Sequence, residues 1–395
     1  MSAVILASTS KDLAARVGQA TGDHLLVLEP KQLPAGPAQV MALANGSGPV
    51  TAVLIDSTPD TVEDALGLAT RFEQQYPAVS VMLVTDRVRE LGLSALRSGV
   101  RDLLEPSATV EDLRWALHRG AAAGALRSGA VAPEDTGPAG RVITVASPKG
   151  GVGKTTMATN LAVGLAGESP DGTVLVDLDV QFGDVAAALN LEPDDTLGDA
   201  VHSPAVHDAM ALKTFLTRHP SGLHVLCGVR SPVEADGITA AQVGGILAQL
   251  KTEFRYVVID TAPGMSAQTL AALDHTTDLA LITSLDVPGV RGLRKELELL
   301  DELELPASTR HVIINFADRS GGLSVKDVEA TIGRPVDFVL PRSKKFTIST
   351  NQGVPLIEAG GRDRISKDLR AVVARFAPLS SAQGGWNGRH RGSSR

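Results

Sequence analysis

Ser147-Pro148-Lys149-Gly150-Gly151-Val152-Gly153-Lys154-Thr155-Thr156 is the stretch that decides how the rest of the chain is read. It follows an apolar run, Val142-Ile143-Thr144-Val145-Ala146, with the composition of a buried strand. Met157-Ala158-Thr159-Asn160-Leu161-Ala162-Val163-Gly164-Leu165 comes next and reads as a helix. Strand, glycine loop, Lys-Thr and helix make the arrangement that wraps backbone N–H groups around phosphates. Gly150, Gly151 and Gly153 let the loop curl without Cβ clashes, so the amides from Gly150 through Val152 to Thr156 turn toward one anion. Lys154 is expected to neutralise phosphate charge, and Thr155 to offer its hydroxyl to Mg²⁺. The spacing G-x-x-x-x-G-K-[ST] fits loosely: its first slot falls on Pro148, followed by a second lysine, Lys149.

Apolar residues make up 43% of the chain and charged residues 21%, which excludes a disordered polypeptide. The net charge of −8 disfavours a surface given over to nucleic acid. With one cysteine, Cys227, in an apolar run, neither internal disulfides nor a cysteine-built cluster can form within a chain. The nine histidines show no metal-ligand spacing with carboxylates. No run approaches the ~18 apolar residues that suggest a membrane span, and no leader pattern is seen, so a cytoplasmic protein is expected.

At 395 residues the chain has room for two or three domains. Residues 1–127 alternate short apolar strands with amphipathic helices, as in a doubly wound parallel α/β sheet. Residues 128–140 carry glycine and proline without periodicity and read as a linker. Residues 141–379 resume the α/β alternation and read as one phosphate-loop domain with a mostly parallel sheet; residues 380–395, rich in Gly, Ser and Arg, read as a disordered tail. Within the second domain, a strand over 173–176 leads into Asp177-Leu178-Asp179. A second strand, Tyr256-Val257-Val258-Ile259, closes on Asp260-Thr261-Ala262-Pro263-Gly264, the pattern of a carboxylate that reaches Mg²⁺ through water. Asn315 and Pro341 close two later strands, where a base could rest, and His311 is expected to face solvent at a strand start.

Residues 1–127 resemble the receiver domain of response regulators. Asp56 falls at the end of the third strand, where that family carries its phosphorylated aspartate, and Thr85 ends the fourth. Ser8-Thr9 replace the family's acidic pair, and Glu105 replaces its lysine. The expectation is therefore a degenerate receiver used for docking or dimerisation, with Asp56 a doubtful phosphoacceptor.

Lys149-Gly150-Gly151-Val152-Gly153-Lys154-Thr155-Thr156 resembles the deviant Walker A motif of the MinD/ParA ATPases. The resemblance extends to Asp177-x-Asp179 as a first switch, Asp260 to Gly264 as a second, Asn315 near the base, and Asn351-Gln352-Gly353-Val354-Pro355-Leu356 as a closing segment. It implies ATP and Mg²⁺ as cofactors, with Thr155, Asp177 and Asp260 around the metal and Lys154 on the phosphates. Asp179 would polarise the attacking water, and Lys149 would reach across an ATP-dependent homodimer. A degenerate receiver fused ahead of such an ATPase is similar to CpaE/TadZ proteins of Flp/Tad-type pilus assembly, with septum-site-determining relatives close by. The implied partners are pilus, secretion or division machinery, at a cell pole or the inner face of the membrane.

Three rival readings follow from particular residues. ParA-like DNA segregation would use the basic clusters Arg342, Lys344, Lys345 and Arg362, Arg364, Lys367, Arg370, although a solvated face is the expectation. Membrane attachment would use the stripe Ile365, Leu369, Val372, Val373 and Phe376, although packing on its own domain is expected. A nucleotide-binding scaffold with negligible turnover fits the same residues.

Overall fold

The computed structural model describes residues 3–29, 33–34, 36–44, 48–127, 140–305, 309–318 and 321–377. The chain divides into two compact units. One comprises Met1–Arg141 with Pro204–Thr214 and Ile246–Arg255; the other comprises Val142–Ser203, Phe215–Gly245 and Tyr256–Arg395. A unit assembled from three separate stretches is invisible to a reading that cuts the sequence linearly at 127 and 141. The expected linker, apart from Gly140, and the expected tail lie outside the described residues.

The first unit is built on a parallel sheet of β1 (Ala3–Ala7), β2 (Leu25–Leu28), β3 (Val50–Asp56), β4 (Ser80–Val84) and β5 (Val100–Leu104). Its spatial order, β2-β1-β3-β4-β5, is the flavodoxin-like doubly wound order. Alternate side chains of each strand point to opposite faces, so both faces need cover. Helices Lys11–Thr21 and Val110–Arg127 supply Leu13, Val17, Leu113 and Leu117 to one face. Helices Val62–Gln75 and Val88–Arg97 supply Leu68, Phe72, Leu91 and Ala95 to the other.

The second unit carries β6 (Arg141–Ala146), β7 (Thr173–Leu178), β8 (Thr217–Arg218), β9 (His224–Leu226), β10 (Tyr256–Thr261), β11 (Asp278–Ser284), β12 (Thr309–Ala317) and β13 (Phe338–Pro341). They order as β13-β12-β11-β6-β10-β7-β9-β8, with β8 antiparallel to β9 and the remaining pairs described parallel. β6 and β10 therefore lie side by side in the middle of the sheet. The loop that follows β6 and the Asp-Thr-Ala-Pro-Gly segment that ends and leaves β10 open at the same sheet end, the usual position of ligands in such folds.

Helix Lys154–Glu168 runs back from the loop and is buried on most of its surface. It is clamped by the last described helix, Arg364–Phe376. A Cβ on Gly164 would sit 2.5 Å from Val373, so only glycine permits this approach. The stripe Ile365, Leu369, Val372, Val373 and Phe376 is 0–8% exposed and belongs to the core, leaving this helix no apolar face for a membrane. Among the described residues no helix is long and apolar enough to cross a bilayer.

His311 departs from the expectation of a solvent-facing residue. Strand β13 and helix Arg364–Phe376 cover it to 2% exposure, and its ring meets Phe376 edge-on at 5.0 Å.

Candidate functional site: a phosphate loop between two switch segments

The loop after β6 is shaped by two left-handed glycines, Gly151 (φ 75°) and Gly153 (φ 93°). Gly153 is doubly constrained, since a Cβ there would also lie 2.5 Å from the Asn315 amide nitrogen. The loop leads into helix Lys154–Glu168 with no side-chain cap on its first amides. Those uncapped N–H groups and the positive end of the helix dipole suit an anion. They border a cavity of about 950 Å³, walled by the loop, by Asp179 to Phe182 after β7, by Ala262, Pro263 and Ser266 after β10, and by Phe316. The Gly264 N–H donates to the Ser147 carbonyl at 3.0 Å, tying the segment after β10 to the start of the loop.

Lys154 is 7% exposed; burial lowers its pKa, while Asp260, Asp179 and Glu296 pull it back up. Asp260 is fully buried, and neither of its carboxylate oxygens has a hydrogen-bond partner of good geometry. Burial raises its pKa, against the pull of the nearby Thr155 hydroxyl and Lys154 ammonium. An orphaned carboxylate beside a threonine hydroxyl is an oxygen set that a hydrated Mg²⁺ satisfies, and the neighbouring lysine suits the phosphates. The residues present fit a magnesium–nucleotide: Thr155 and Asp260 would hold the metal, and Lys154 with the loop amides would hold the phosphates.

Asp177 is placed differently from the sequence expectation. It pairs in register with Asp260 across β7 and β10, and it is 1% exposed. Its oxygens accept from the N–H groups of Asp179 (3.1 Å) and Val185 (3.3 Å). Gly183 and Gly228 close over it, since a Cβ at either position would fall 2.4 Å or 3.0 Å from the carboxylate. Burial and the neighbouring Asp260 raise its pKa well above the usual range. Asp177 shapes the turn that follows β7, whereas Asp179 lines the cavity, together with Asp184 and Asp236.

Asn315 also lies beneath the site instead of in it. It is 1% exposed; its amide donates to the Val152 carbonyl at 2.9 Å and accepts from the Phe316 N–H at 2.9 Å. The residue that faces the cavity is the next one, Phe316, held at φ 53° with Arg342 5.7 Å above its ring. Nothing in the sequence marked Phe316, because its exposure depends on that left-handed backbone. Pro341 ends β13 opposite Ala317 and does not line the cavity.

Lys149 is exposed and stands outside the cavity wall, near Asp286, whose carboxyl it helps hold below its ordinary pKa after hydrogen bonds from Ser284 and Gly289. The residue just after the closing segment is anchored: the Asn160 side chain accepts from the Ile357 N–H at 2.9 Å and donates to the Thr156 carbonyl at 2.7 Å. Cys227 is buried, with its pKa pushed up to about 11 by burial, so it is no nucleophile. In the first unit the Ser8 hydroxyl donates to Asp56 at 2.5 Å, occupying the place where the receiver resemblance implies an acidic pair.

A parallel sheet carrying a glycine loop, a Lys-Thr helix start and a buried Asp on the adjacent strand defines a P-loop nucleotide-binding protein. The family model described as AAA domain matches residues 140–309. The septum site-determining protein MinD of Synechocystis is 30% identical over 224 residues, covering 55% of this chain and 82% of that relative. A ParA family ATPase from Chlorobium tepidum superposes with TM-score 0.57 at 24% identity, over 61% of this chain and all of that one. MinD from Pyrococcus horikoshii, complexed with Mg-ADP, superposes with TM-score 0.53 at 20% identity, over 60% of this chain and 96% of that one. The chain belongs to the MinD/ParA family of P-loop ATPases.

Proposed function

We propose that the protein is an ATP-dependent, dimerising positional switch: two copies close over ATP and Mg²⁺, hydrolysis reopens them, and the amino-terminal unit docks partners. The observation that carries this reading is the placement of the two lysines. Lys154 is buried at the loop, whereas Lys149 is exposed and lies outside the wall of its own cavity, available to a second copy. Phe182, 75% exposed at the cavity wall, adds apolar surface of the kind a partner covers. Thr155 and Asp260 would bind Mg²⁺, Asp179 would orient water, and Phe316 would give the base a flat apolar face. The Mg-ADP complex of the Pyrococcus horikoshii relative is consistent with that use of the loop.

The finer reading, placement of a Flp/Tad-type pilus at a cell pole, rests on the fusion of a doubly wound unit ahead of the ATPase and on its resemblance to a degenerate receiver. Septum-site regulation is the alternative nearest in family. DNA segregation is less favoured, because part of the basic clusters is paired with carboxylates: Lys345 with Asp363 at 2.7 Å and Arg364 with Asp368 at 3.7 Å. Sedimentation and ATP turnover of the wild type, Lys149→Ala and Asp179→Ala test the switch. Lys149→Ala should bind ATP but stay monomeric, and Asp179→Ala should dimerise without turnover. Unaltered dimerisation in the first, or unaltered turnover in the second, refutes the assigned roles.

A further inference from the structure

Helix Val287–Glu302 packs on β11 through Leu293, Leu297 and Leu300, and in the middle of that buried face it carries Glu296. The side chain is 5% exposed, and neither carboxylate oxygen has a hydrogen-bond partner. A leucine there would pack without any desolvation penalty, so a carboxyl at this position costs stability that packing does not recover. Its location explains what it faces. Gly292, one turn earlier on the same side of the helix, lies so close to Pro148 that a Cβ would approach its ring at 3.1 Å. The helix therefore crosses directly beside the start of the phosphate loop, and Glu296 lies within electrostatic reach of Lys154.

We propose that Glu296 is a positioning residue for Lys154: a buried counter-charge that holds the lysine when the loop is empty and takes up a proton when nucleotide phosphates arrive. The inference rests on the nucleotide-binding function proposed for the loop. Phosphate anions compete for the same ammonium and repel an ionised carboxylate, so binding favours the neutral acid. Burial already raises the Glu296 pKa to about 7, with Lys154 opposing. Among the described residues, Lys154 is the charged group whose attraction lowers the Glu296 pKa. From the sheet end, Asp260 and Asp179 also act on Lys154, ahead of Glu296. On β11, Asp278 accepts from the Thr277 hydroxyl at 2.9 Å. On helix Val325–Ile332, Asp327 is bonded to Ser324, Glu329 to the Val336 N–H, and Lys326 is exposed. On the helix itself, Arg291, Arg294, Lys295 and Glu298 are exposed, Arg294 pairing with Glu298.

The test is the affinity for Mg-ADP between pH 6 and 8.5, by calorimetry in buffers of different ionisation enthalpy, for the full-length wild type and Glu296→Gln. The wild type should weaken with rising pH more than the variant, by about tenfold for each unit that binding raises the pKa. It should also take up a larger fraction of a proton near pH 7. Superimposable profiles and equal proton uptake overturn the proposal, as does a uniform loss of affinity in Glu296→Gln at every pH, which is the mark of packing alone. If the variant does not fold, a ¹³C-carboxyl titration of wild-type glutamates decides: a resonance titrating near neutrality must move up when Mg-ADP is added, and its absence overturns the idea. Failure of both proteins to bind Mg-ADP at any pH would instead refute the nucleotide-binding reading.

Discussion

Replacing Asn315 separates a brace from a base-reading residue. Its amide satisfies two backbone groups, the buried Val152 carbonyl in the loop and the Phe316 N–H at the cavity wall. Asn315→Ala leaves both without that partner. An unsatisfied buried carbonyl costs about 1–3 kcal/mol, and the loss of the more accessible N–H bond about 0.5–1.5 kcal/mol. A total near 2–4 kcal/mol is therefore expected, less whatever a water entering the vacated space returns. The loop and the left-handed Phe316 backbone would loosen together, so the loss should also reach nucleotide affinity. The assay is thermal unfolding with and without Mg-ADP, read on the transition that nucleotide shifts, combined with affinities for ATP and GTP. A brace predicts a lowered midpoint in the empty protein and a parallel loss of affinity for both nucleotides. A residue that reads the base predicts an unchanged midpoint and a changed ATP-to-GTP ratio. The second outcome would refute the bracing role of Asn315.

Two other substitutions probe packing and charge. Gly164→Ala should destabilise the clamp between helix Lys154–Glu168 and helix Arg364–Phe376 by about 1–3 kcal/mol, because the new methyl meets Val373. Adding Val373→Ala should restore part of the loss, and strictly additive denaturation free energies would show that the two positions are not in contact. Glu296 makes a signed prediction for the empty protein. Its folded pKa, about 7, lies above the unfolded value of about 4.5, so the stability it contributes is fully present below pH 4.5 and is lost as pH rises through 7. Glu296→Gln should flatten that part of the urea-stability profile, and equal slopes for the two proteins between pH 5 and 8 would contradict the raised pKa.

The chemistry of this protein was legible where it is written in contiguous residues. The run from Lys149 to Thr156 dictates a loop with glycines at its left-handed positions. An apolar strand ending at Asp260 places a carboxylate at a sheet end, and the alternation of short strands with amphipathic helices dictates a doubly wound architecture. These follow from local sterics and periodicity, which a sequence carries directly. What each side chain faces was decided by distant segments. Asp177 and Asp179 are both expected at the nucleotide, one at the metal and one at the attacking water, yet Gly183 and Gly228 close over the first and leave the second on the cavity wall. Asn315 reads as a ligand, and only the approach of Gly153 turns it into a support. His311, placed at a strand start, is buried because β13 and the last described helix fold over it. Glu296 occupies a helix whose sequence gives no sign that Lys154, far earlier in the chain, lies within reach. Sequence determines which groups are present and how their own segment bends. Burial, electrostatic reach and hydrogen-bond satisfaction depend on which other segments arrive, and only the tertiary structure brings them together.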